Sequence, residues 1–100
     1  MTITKTVENN KAVLFVEGWL DTKSAPELRK EIDSLSGIDG LVLDFEKLEY
    51  IASAGLREIV SAYKKLKSMN GDFSVIHVGS EVMEVFKLTG FDQKFDIRER

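Results

Sequence analysis

Apolar positions along the chain change their period several times, and each change marks an element. Ile3 to Val7 alternates apolar residues with threonines and Lys5, and Ala12 to Val16 is a denser apolar run. Glu8-Asn-Asn-Lys11 supplies turn chemistry between them, so the two segments predict an antiparallel hairpin with the second strand more central. Gly18 to Lys23 reads as a loop. Ser24-Ala-Pro-Glu27 predicts a helix start with a capping box and a first-turn proline, followed by a buried stripe of Leu28, Ile32 and Leu35. Leu41 to Phe45, after Gly37 and Gly40, predicts a strand buried on both faces, as in a parallel sheet.

A second helix is predicted to begin near Ser53. Its stripe is Leu56, Ile59, Val60, Tyr63 and Leu66, with Arg57, Glu58, Lys64, Lys65 and Lys67 mainly elsewhere and a stop at Asn70-Gly71. Phe73 to Val78 predicts another buried strand. Ser80 then caps a last helix carrying Val82, Val85, Phe86 and Thr89, which stops at Gly90, and Phe91 reads as the apolar contact beside that cap. Phe95 to Ile97 is a short edge strand. The predicted order is ββαβαβαβ, an α/β fold with a mixed, largely parallel sheet and right-handed crossovers.

Composition narrows the class. One hundred residues with 43% apolar content, 7 Gly and 1 Pro suit a single compact domain spanning 1–100, with little interior to spare for a deep pocket. A net charge of -3 with interspersed signs leaves no electrostatic footprint for nucleic acid or an anionic membrane. There is no cysteine, hence no disulfide or thiolate site. No run approaches the roughly 18 apolar residues of a membrane span, and the first residues lack a signal-peptide core, so the expectation is a soluble, cytoplasmic protein without membrane insertion.

Candidate chemistry is sparse. The chain lacks GxGxxG and GxxxxGK[ST], so neither route to ATP is present and any phosphoryl donor must come on another protein. His77, the only imidazole, lies near the end of a predicted strand with no nucleophile assigned to it, and reads as structural or solvated. Asp44, Glu46 and Glu49 form an acidic run without EF-hand spacing and read as a solvated turn. No cofactor or metal is expected and no catalytic residue is assigned. Trp19 reads either as an interface anchor or as a lid on the core. Asp21 and Thr22 come after the second strand and either approach Ser53 or merely shape the entry into the first helix.

Ser53 stands out. At a helix N-terminus it can act as a cap, worth about 1 kcal/mol, yet Ala52, Ala54 and Gly55 beside it are minimal side chains that let another protein's active site reach the hydroxyl. The segment Asp44-Phe-Glu-Lys-Leu-Glu-Tyr-Ile-Ala-Ser-Ala-Gly-Leu56, with Gly18-Trp-Leu-Asp21 ahead of it, resembles the STAS domain of bacterial anti-sigma factor antagonists. In that family an Asp-Ser-Ser-Gly-Leu pattern is typical. The resemblance places Ser53 at the serine phosphorylated by an anti-sigma factor that is also a serine kinase, with Gly55-Leu56 matching the pattern's closing glycine and leucine and Asp21 matching an acidic loop residue near the site. Ala52 and Ala54 depart from the family's aspartate and second serine.

The function so implied is a non-enzymatic protein-binding switch controlled by phosphorylation at Ser53, with a serine phosphatase as a further partner. Its partner-binding residues are Trp19, Asp21, Ala52, Ala54, Gly55, Leu56 and Arg57. The alternative is a constitutive cytoplasmic STAS accessory subunit of a lipid or anion transport system.

Overall fold

The computed structural model describes residues 1–100. Strands β1 (Thr2–Glu8) and β2 (Lys11–Leu20) lead into helix α1 (Ala25–Asp33), then β3 (Gly40–Asp44), β4 (Leu48–Ile51), α2 (Ser53–Ser68), β5 (Asp72–Val78), α3 (Ser80–Thr89), a 3-10 turn (Phe91–Gln93) and β6 (Asp96–Glu99). The sheet runs β1-β2-β3-β5-β6, with β1 and β2 antiparallel and every other pair parallel. Six strands and three helices thus make the mixed, largely parallel α/β fold that the periodicity predicts, with β4 as an addition.

Asn9 and Asn10 make the hairpin turn at φ 52 and 65, the left-handed pair that a two-residue turn between twisted strands needs and that asparagine tolerates. From β2 the chain then steps across the sheet in one direction, through β3 and β5 to β6. Right-handed crossovers taken in a constant direction place every connecting helix on the same face. Ala12, Leu14, Val16, Leu41, Leu43 and Val75 on that face are buried with Leu28, Ile32, Ile59, Leu66, Val82 and Phe86 of the helices. Val13, Val42, Ser74 and Ile76, whose side chains alternate to the other face, remain partly exposed, and Phe15 is exposed. The expectation that Leu41 to Phe45 is covered on both faces is therefore corrected: Val42 has no helix above it.

β2 is longer than predicted because it has two successive partners. Lys11 to Phe15 pairs with Gly40 to Asp44; β3 then turns away, and Gly18 to Leu20 pairs with β4. Gly18 takes φ +100 at a bulge in this second pairing and donates its N–H to the Lys47 carbonyl at 3.0 Å. So Gly18-Trp19-Leu20, read as loop from sequence, is strand, and only Asp21 to Ser24 turns.

The helix starts and stripes also differ in detail. Ser24 and Ser80 make no side-chain caps, and Gly79 occupies the N-cap of α3. The α2 stripe is centred on Gly55, Ile59, Ala62 and Leu66, with Leu56, Val60 and Tyr63 at its margins; on α3, Met83 joins Val82 and Phe86 while Thr89 is exposed. Gly90 ends α3 at φ 78 as predicted. Phe95 belongs to the core, ahead of β6. Lys65 reaches across from α2 to the Ile32 and Leu35 carbonyls, at 3.0 and 3.4 Å, and satisfies acceptors where α1 ends. No helix is long and apolar enough to cross a membrane.

Candidate partner-binding site around Ser53

Parallel pairing carries β2 and β4 to the same end of the molecule. Leu20 lies beside Ile51, and just beyond them the Ala52 N–H donates to the Leu20 carbonyl at 2.9 Å. Asp21 and Ala52 therefore leave the sheet side by side. This brings the Gly18–Asp21 segment and the Ser53 helix start together, at the strand ends where α/β folds commonly build their sites.

Ser53 is the first residue of α2, and the N-cap is Ala52, in extended conformation, whose carbonyl accepts from Leu56 N–H at 3.1 Å. Alanine has no side-chain acceptor, so this end carries no side-chain cap. The cap reading of Ser53 is thus corrected by one residue: its exposed hydroxyl makes no capping hydrogen bond. The first turn also has no acidic side chain, so nothing on it offsets the positive end of the helix dipole. Arg57 is exposed one helical turn further on. Ala54 and Arg57 line a shallow cleft with Thr22, Pro26 and Arg29, between the entry to α1 and the start of α2.

The other predicted contact residues divide. Gly55 is buried against β2, whereas Leu56 is half-buried, packing partly against the core with the rest of its side chain open. Trp19 is 57% exposed and thus does not close the core. It pairs across the strands with Tyr50, 48% exposed, their ring centroids 5.3 Å apart. Tyr50 escapes sequence reasoning because a four-residue strand with a bulge offers no alternation to detect.

The Asp21 loop is held by its own hydrogen bonds. Asp21 Oδ1 accepts from Ser24 N–H and Lys23 N–H, both at 3.0 Å; Ser24 Oγ in turn accepts from Asp21 N–H at 2.8 Å and lies 2.7 Å from the Trp19 carbonyl oxygen. Asp21 thus shapes the entry to α1 and also stands beside the Ser53 helix start. The Ser24 N–H, then the Ser24 hydroxyl, and to a lesser extent the Lys23 N–H hold the Asp21 carboxyl below its usual pKa. A carboxylate lowered on folding adds stability above its unfolded pKa, about 4, and loses it as pH falls through the lower folded value. In urea titrations Asp21→Asn is therefore expected to lie below the parent at neutral pH and to converge on it under acid. A gap that stays constant with pH would contradict this.

The acidic run does not form one group. Asp44 is buried, contrary to the solvated-turn expectation, with Oδ1 accepting from Glu46 N–H and Oδ2 3.1 Å from His77 Nδ1. His77 is thus paired. Glu46 faces Arg100 at 3.8 Å, while Glu49 is exposed on β4. No group of three or more His, Cys, Asp or Glu is placed to hold a metal ion.

Comparison with known proteins places this architecture. The sequence profile of the STAS domain matches residues 2–100. BtrV of Bordetella bronchiseptica, named as a candidate anti-sigma factor antagonist, is 31% identical over 84 residues, 82% of this chain and 72% of BtrV. The crystal structure of an anti-sigma factor antagonist from Mycobacterium paratuberculosis superposes with a TM-score of 0.83 at 30% identity, covering 99% of this chain and 87% of that one. The fold is shared too with the Bacillus cell fate determinant SpoIIAA in its phosphorylated form, at a TM-score of 0.78 and 17% identity over 96% of this chain and 90% of that one. With a family match along almost its whole length and relatives of this kind, the chain belongs to the STAS domain family, among the anti-sigma factor antagonists.

Proposed function

We propose that this chain is a non-enzymatic switch that, unmodified, docks through the surface around Ser53 onto an anti-sigma factor that is also a serine kinase, and thereby frees a sigma factor. Phosphorylation of Ser53 by that kinase ends the interaction, and a serine phosphatase restores it. The observation that carries this reading is the Ser53 hydroxyl itself, exposed at the start of α2, unused as a cap and flanked by Ala52 and Ala54. A kinase active site can close on such a residue.

The physical basis of the switch is asymmetric. A phosphoserine brings about -1.5 to -2 charges. Within this chain the positive end of α2, free of first-turn carboxylates, and Arg57 one turn away accommodate that charge. A partner surface packed closely against a neutral Ser53 has to desolvate it instead. Trp19, Tyr50 and Asp21 extend the docking surface on one side, and Ala54 and Arg57 on the other.

Incubating the chain with its cognate anti-sigma factor and ATP is expected to add one phosphate at Ser53, read by mass spectrometry. Ser53→Asp is expected to weaken partner binding about a hundredfold, or about 2.8 kcal/mol, whereas Ser53→Ala leaves binding intact and abolishes modification. Trp19→Ala is expected to weaken the complex with little change in melting temperature, as its ring is largely outside the core. An unmodified Ser53 together with unchanged affinity of Ser53→Asp would exclude the switch, and co-purification with transport components would then favour the accessory-subunit role.

A further inference from the structure

A guanidinium stays charged at every working pH, so each arginine of the chain has to be matched with an anion or left in water. The sequence holds four, Arg29, Arg57, Arg98 and Arg100. Arg29 Nε lies 3.4 Å from Glu58 and 3.8 Å from Asp33, Arg98 Nη2 lies 3.0 Å from Asp96, and Arg100 Nε lies 3.8 Å from Glu46. Arg57 alone makes no ion pair. Glu58, the acid next to it in the chain, is already paired with Arg29 and its side chain is only 15% exposed.

Its position gives this a consequence. Ser53 and Arg57 both belong to α2 and are both exposed, and residues four apart are neighbours on a helix surface. Arg57 also lines the cleft beside Ala54, where Glu58 is the only acidic residue. A partner that closes on Ser53 through the docking surface proposed above therefore covers Arg57 as well. Taking a guanidinium out of water without an acceptor is unfavourable, and nothing in this chain supplies one. The partner has to bring the anion.

We infer that Arg57 is the cation exchanged in the switch: in the complex it pairs with an Asp or Glu side chain of the anti-sigma factor, and after modification it turns to the phosphate on Ser53. This rests on the reading of Ser53 given above and adds how the signal is transmitted. The phosphate is tethered four residues away in the same helix, so it competes at high effective concentration. It carries about -1.5 to -2 charges against the carboxylate's single one, and its oxygens suit the paired N–H groups of a guanidinium. The partner's carboxylate is then left without its cation and faces a like charge. Release needs no change in the backbone.

The test is a double-substitution cycle on the whole chain with its cognate anti-sigma factor, read by titration calorimetry. Arg57→Gln is expected to weaken the unmodified complex about tenfold, and Arg57→Lys, which keeps the charge, about threefold. In the Arg57→Gln background Ser53→Asp is expected to weaken binding only about tenfold, against about a hundredfold in the parent, because the pair it disrupts is already gone. Glutamine and lysine are good helix formers at this exposed position, so both variants should melt with the parent. In the isolated phosphorylated chain, phosphorus-31 NMR should find the second phosphate pKa below about 6, and Arg57→Gln should raise it. Unchanged affinity of Arg57→Gln, a Ser53→Asp loss of equal size in both backgrounds, or a phosphate pKa indifferent to position 57 would overturn the assignment. Those results would leave modification of Ser53 standing, whereas a chain that the kinase leaves unmodified removes the switch itself and the exchange with it.

Discussion

Replacing Phe95 with alanine is expected to lower the unfolding free energy by about 3–5 kcal/mol, a large part of the roughly 5–15 kcal/mol available to a domain of this kind. Phe95 is 8% exposed. Its ring centroid lies 5.1 Å from Tyr63, 5.3 Å from Phe73, 6.2 Å from Phe91 and 6.3 Å from Phe86. Truncation therefore removes one side chain that four others from α2, β5, α3 and the 3-10 turn pack around, and the cavity cannot close without moving several elements at once. The measurement is urea unfolding, with the midpoint falling while the slope stays near that of the parent. Hydrogen exchange should accelerate first in β6, which Phe95 precedes. Leu88→Ala, at an 82% exposed position, serves as the control and is expected to change stability by less than about 0.5 kcal/mol. A loss below about 1 kcal/mol in Phe95→Ala would contradict this account of the core.

Gly55→Val is expected to cost about 3 kcal/mol and to disturb the candidate site as well. A Cβ at position 55 would stand 2.5 Å from Leu20 Cγ, and 3.0 Å from both Leu20 Cδ2 and the Leu20 carbonyl oxygen. Leu20 is fully buried, so it has no solvent to retreat into, and its carbonyl is held by Ala52 N–H. Glycine inside a helix costs about 1 kcal/mol relative to alanine; overpacking a closed core costs about 1–3 kcal/mol and grows with the added methyl groups. For valine the steric effect wins. Relief requires the start of α2 to move away from β2, which shifts Ser53 relative to Asp21. Thermal unfolding and amide shifts at Leu20, Ala52 and Ser53 would record both effects. A variant as stable as the parent with unmoved amides would show that Gly55 is not what lets the helix approach.

Much of the site was legible because it is local. Ser53 at a helix start, with alanine and glycine beside it, is set by a few consecutive residues, and the resemblance that implies its role is carried by two short segments, Gly18 to Asp21 and Asp44 to Leu56. Its relation to Trp19, Asp21 and Tyr50 is of another kind. It depends on β4, four residues long and bulged, whose pairing with β2 is worth nothing until β3 has turned away and left that edge open. The Asp44–His77 contact joins residues 33 positions apart at the ends of neighbouring strands, and no periodicity encodes it.

Taken alone, then, the order of residues determined the kinds of element, most of their ends, the largely parallel α/β class and the candidate serine, because propensity, turn chemistry and amphipathic period act over a few residues. Only the tertiary structure decided that all helices cover one face, that Phe95 is a hub of the core, that Ala52 rather than Ser53 occupies the N-cap position of α2, and that the Trp19–Tyr50 pair lies open to solvent. Those outcomes are set by the direction of the crossovers and by which strand edge is free when each segment arrives, and such choices are made between distant parts of the chain.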